Sequence, residues 1–61
     1  MFLNIQNTLI NSKYIKYVKC EGKTLIKSQL KDSYIVFEYS SEKERDTAYS
    51  NIVVTLMKEM N

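Results

Sequence analysis

The sequence predicts an α+β domain: an antiparallel three- to four-stranded meander followed by one C-terminal helix packed on one sheet face. Three observations carry this. Up to Tyr39, short runs of β-branched and aromatic residues alternate with polar pairs that favour turns. From Ser41 onward, a serine-led acidic segment opens a stretch whose apolar residues recur every three or four positions. The chain has one Gly, no Pro and no repeat or low-complexity linker, so residues 1–61 read as a single domain.

Each element has a local cause. FLNIQ, residues 2–6, alternates apolar and polar side chains as a half-buried strand does. Thr8-Leu9-Ile10 is a second short apolar piece, ended by the turn-forming Asn11-Ser12. A strand over 14–20, rich in Tyr, Ile and Val, stops at Glu21-Gly22, where Gly accepts a positive φ without steric cost. A strand over 23–30 ends at Lys31-Asp32, and SYIVFEY, residues 33–39, is the strongest strand signal. The helix spans about 42–60. Ser41 and Glu44 fit a capping box, Glu42, Glu44 and Asp46 suit the positive pole, and Lys58 suits the negative one. Ala48, Tyr49, Ile52, Val53, Leu56 and Met60 form the apolar stripe.

Two-residue turns at Glu21-Gly22 and Lys31-Asp32 would set Tyr17 opposite Ile26 and Ile26 opposite Phe37. Ile15, Tyr17, Ile26, Ile35, Phe37 and Tyr39 would then share the face that receives the helix. Tyr14, Lys16, Val18, Leu25, Lys27, Tyr34, Val36 and Glu38 would share the other. That outer face is too apolar for an ordinary solvent face. The helix arc from Ala48 to Met57 is likewise wider than the ~100° a core contact needs.

A chain of 61 residues holds one modest core, and chains this short usually gain stability from disulfides, metals or self-association. With Cys20 alone and no His, an intrachain disulfide and a Cys/His zinc site are excluded, so a homo-oligomer is expected. No apolar run approaches a membrane span and the N-terminus does not read as a signal peptide, which predicts a cytoplasmic protein without membrane contact. Charge is asymmetric. Residues 1–31 hold six lysines against Glu21 alone, net +5; residues 32–61 hold three cations against six carboxylates, net −3. Such a split suits an anionic ligand or head-to-tail contact between copies.

Catalysis is not expected. The chain has no histidine to act as a general base near neutral pH. Cys20 has no imidazole partner and reads as a small apolar filler in its strand. The acidic group at the helix start is explained by the dipole, and Gly22 alone makes no phosphate loop. No cofactor and no metal are predicted. YIKYVK, residues 14–19, remains the one suggestive stretch: aromatic rings beside lysines suit single-stranded nucleic acid. In the register above Tyr17 turns inward, and Lys16 faces Lys27 as a like-charge pair. Possible nucleic-acid contacts are Tyr14, Lys16, Lys19, Lys27 and Tyr34. Arginine, the better base reader, occurs once, at Arg45.

TLINSKYIKYV, the two hairpins and YSSEKERDTAYSNIVVTL together resemble small uncharacterised proteins of bacteria and their phages. The strand order followed by a helix is also similar in architecture to the PC4-like single-stranded-DNA-binding coactivators, which implies a dimer. The chain has no counterpart of that family's basic strand motif, and no functional residue is carried over. The first expectation is therefore a non-enzymatic, self-associating accessory or regulatory protein of the phage or mobile-element type. It would act on a protein partner through Tyr14, Lys16, Val18, Leu25, Lys27, Tyr34 and Val36. The alternative is a single-stranded nucleic-acid-binding protein using a Tyr/Lys sheet face.

Overall fold

The computed structural model describes residues 1–60, with the side chain of Met60 outside the description. Five antiparallel strands and a C-terminal helix form an α+β fold: β1 (Phe2–Ile5), β2 (Thr8–Asn11), β3 (Ile15–Glu21), β4 (Leu25–Leu30), β5 (Tyr34–Glu38) and α1 (Glu42–Met60). They make two sheets, a β1-β2 hairpin and a β3-β4-β5 meander.

The apolar piece at residues 8–10 is thus a strand. Ile5 pairs with Thr8 across a two-residue loop in which Gln6 and Asn7 have φ of 50° and 63°. Two positive φ values define the hairpin turn whose twist matches paired strands, and Asn tolerates that region better than most residues. The expected Asn11-Ser12 turn is a single 3₁₀ turn over Ser12–Tyr14, with the Asn11 side chain accepting from the Lys13 amide at 3.1 Å. Tyr14 therefore precedes the strand that the sequence assigned it to.

The β4-β5 register is the one expected, with Ile26 opposite Phe37, and the Leu30 amide donates to Ser33 O at 2.7 Å around Lys31-Asp32. The β3-β4 register is not. Glu21 pairs with Leu25, so the loop is Gly22-Lys23-Thr24, and Cys20 rather than Tyr17 lies opposite Ile26. The shift is three residues, an odd number, so side chains exchange faces. Tyr17 points outward and Val18 packs against the core. Ile15 regains the inner face through a bulge between Ile15 and Tyr17.

Two contacts fix this longer loop. Thr24 O accepts from the Tyr39 amide at 2.9 Å, which commits Thr24 to β5. Arg45, in the first turns of α1 and only 6% exposed, sends Nη1 to Leu25 O at 3.2 Å and Gly22 O at 3.3 Å, with Glu21 O at 3.5 Å. With Nε held by the Asp46 carboxylate at 2.8 Å, this buried guanidinium bridges the two ends of the loop and selects a loop length that local propensity does not.

α1 starts as the sequence indicates: Ser41 Oγ accepts from the Glu44 amide at 3.1 Å. The Glu44 carboxylate takes the hydroxyl of Ser40 rather than returning to the cap amide. Ile52 joins Leu3, Ile5, Ile10, Ile26 and Phe37 in the buried core, with Ala48, Tyr49 and Leu56 packed beside it. Helix and hairpin therefore cover one face of the meander. Val54 and Met57, the surplus of the wide apolar arc, are exposed. Among the described residues no helix is long and apolar enough to cross a membrane.

Candidate nucleic-acid interface

The uncovered face of the meander is a grid of three residues on each of three strands. Read across the sheet, the first row is Tyr17, Gln29 and Tyr34; the second is Lys19, Lys27 and Val36; the third is Glu21, Leu25 and Glu38. The sequence thus sorts this face into an aromatic row, a cationic row and an acidic row. Strand spacing sets the two rings roughly 10 Å apart.

Neighbouring side chains hold the rows together. Lys27 Nζ lies 4.5 Å from the centroid of the Tyr34 ring and Lys19 Nζ lies 5.8 Å from that of Tyr17. Both are within range of a cation–π attraction. Lys19 also pairs with Glu21 at 3.3 Å. Lys27, on the central strand, is half-buried and has no carboxylate within ion-pair distance among the described residues. Gln29 folds toward the β4-β5 turn, its Nε2 within bonding distance of Leu30 O and Ser33 O rather than reaching across to either tyrosine ring. Tyr34 is 59% exposed and Tyr17 44%.

Of the residues named from sequence, Leu25, Lys27, Tyr34, Val36 and Lys19 lie on this face. Val18 does not: it faces the core, where the odd register shift puts it. Tyr14, in the 3₁₀ turn, precedes β3, and Lys16 is the unpaired residue of the bulge between Ile15 and Tyr17; both are exposed. The like-charge pair is consequently Lys19 with Lys27, not Lys16 with Lys27. Tyr17 is the functional candidate that the assumed register hid. Its proper face was recoverable only by allowing the loop a third residue.

Cys20 is not the buried filler expected of it. It shares a face with Ile26, yet it is free and exposed, because β3 is an edge strand with one flank open to solvent. Among the described residues, no group of three or more His, Cys, Asp or Glu side chains is placed to hold a metal ion. A groove of about 640 Å³ runs along the start of α1, lined by Tyr39, Ser41, Lys43, Glu44, Thr47, Ala48 and Asn51. No protein-family model, curated protein or solved structure matches this chain.

Proposed function

We propose that this chain is a non-catalytic binding module whose outer sheet face holds single-stranded nucleic acid. The observation that supports it is the row of Tyr17 and Tyr34 beside the row of Lys19 and Lys27. Unpaired bases offer π-faces to the rings, and the adjoining phosphates meet the ammonium groups. The lysines now over the rings are no obstacle. An exposed cation–π contact is worth about 0.5–1 kcal/mol, whereas stacking a base contributes about 1–3 kcal/mol. A lysine displaced by a base moves to a phosphate and keeps an electrostatic partner. Glu21 and Glu38 repel phosphate, so the strand runs along the first two rows, across the β-strands. Duplex is disfavoured because its bases are already stacked.

A protein partner is the second reading, favoured by Leu25 and Val36 within the same grid and by the absence of Arg from it. Here the acidic row is a contact rather than a border. The two readings separate in one titration. Labelled single-stranded and duplex oligonucleotides are followed by fluorescence anisotropy at two salt concentrations. Nucleic-acid binding predicts a preference for single strands, a steep loss with salt from counterion release, and loss of binding in Lys19→Glu/Lys27→Glu. Tyr17→Ala should weaken binding by about tenfold or more, from the stacking term alone. Flat anisotropy at low salt would reject the first reading and leave the protein partner.

A further inference from the structure

The meander has two edges, β3 and β5, and they differ in what guards them. In β5 the amides and carbonyls alternate in direction. The Leu30 amide bonds Ser33 O and the Tyr39 amide bonds Thr24 O. Antiparallel alternation therefore points the backbone groups of residues 33, 35, 37 and 39 toward β4 and those of Tyr34, Val36 and Glu38 away from it. The Gln6 side-chain amide confirms the direction by donating to Glu38 O at 2.7 Å from the outside. Among the described residues no backbone partner meets Tyr34 or Val36 there. YIVFE is regular in register and lacks Pro, Lys and a bulge, the usual devices that blunt an edge.

We propose that β5 pairs with β5 of a second copy, antiparallel, about a two-fold axis at Val36. The occupant is argued from self-complementarity. In this register Val36 faces the partner's Val36, Tyr34 faces the partner's Glu38, and Ile35 faces the partner's Phe37. Every outward amide and carbonyl of Tyr34 and Val36 gains a partner, and Glu38 O keeps a second lone pair beside Gln6. Apolar meets apolar on the inner face, and carboxylates stay apart. A slip toward the Lys31-Asp32 turn would oppose Glu38 to the partner's Asp32, and a slip the other way would leave Tyr34 unpaired within the strand. Full overlap of the five residues occurs only at this register. The dimer also joins the cationic rows: Lys19, Lys27 and Val36 continue into the partner's Val36, Lys27 and Lys19 as one stripe.

Dimerisation does not depend on what the grid binds. The test is sedimentation velocity of the full chain over a concentration series, on wild type and two variants. Val36→Lys brings a charge to the two-fold axis. Val36→Pro removes an amide that β4 does not use, so the monomer fold should persist, as its circular dichroism will show. Wild type is expected to shift from monomer to dimer with concentration, and both variants to stay monomeric. A wild type that remains monomeric up to about 1 mM would overturn the proposal. So would a dimer that survives in the variants.

Discussion

β3 and β5 flank the same central strand, yet their free edges are treated differently. β3 carries Lys16 and Lys19, bulges between Ile15 and Tyr17, and has the Tyr49 hydroxyl 3.5 Å from Val18 O. Charge, bulge and a helix side chain are three of the ways a sheet avoids unwanted pairing. Among the described residues β5 has the Glu38 carboxylate and the Gln6 side chain, both at its last residue. The contrast is the ground for the proposed β5 pairing, whose register is read from which backbone groups point outward.

The largest effect should come from the two sides of β5 itself. Phe37→Ala empties the core and is expected to cost about 3–5 kcal/mol in urea unfolding. Val36→Ala, one residue away on the open face, should cost well under that while still weakening the proposed dimer. Similar losses from both would mean that the outer face is buried in the monomer. On the β3 side, Arg45→Leu removes the clamp on Glu21, Gly22 and Leu25 carbonyls, and about 2–3 kcal/mol should be lost. If Arg45 sets the loop length, amide shifts in that variant should spread along β3 and spare β5. Ser28 lies between the edges, fully buried, with no partner for its hydroxyl among the described residues. Ser28→Ala should be neutral or stabilise by up to about 1 kcal/mol, since an unsatisfied polar group leaves the core. The smallest effect is expected from Tyr49→Phe. Its hydroxyl bond is long, and under about 0.5 kcal/mol should be lost, with faster amide exchange along β3 as the measurable sign.

The same contrast separates what the sequence made legible from what it did not. The helix, its Ser41 cap and the β4-β5 register follow from local signals: a capping residue, an apolar stripe, and a two-residue turn between strong β runs. The β3-β4 register depends on Arg45, more than twenty residues away, and on Thr24 being drawn to Tyr39. Neither is visible in the Glu21-Gly22 pair that marked the turn. One wrong loop length then inverted β3, turning Tyr17 inward and Val18 outward on paper, while the bulge concealed the error at Ile15. The Gln6-Asn7 turn went unread because only Asn7 is a residue expected at positive φ. Lys27, Tyr34, Leu25 and Val36 were placed on the right face because β4-β5 was right. Tyr17 and the Lys19–Lys27 pair required the fold.

The most direct test of this account is residue-resolved amide exchange at low and high protein concentration. Tyr34 and Val36 amides should exchange rapidly when dilute and become protected as concentration rises. Val18 and Cys20, whose amides point to the guarded edge, should exchange at rates independent of concentration. Unchanged rates at Tyr34 and Val36, or protection appearing at Val18 and Cys20 instead, would contradict it.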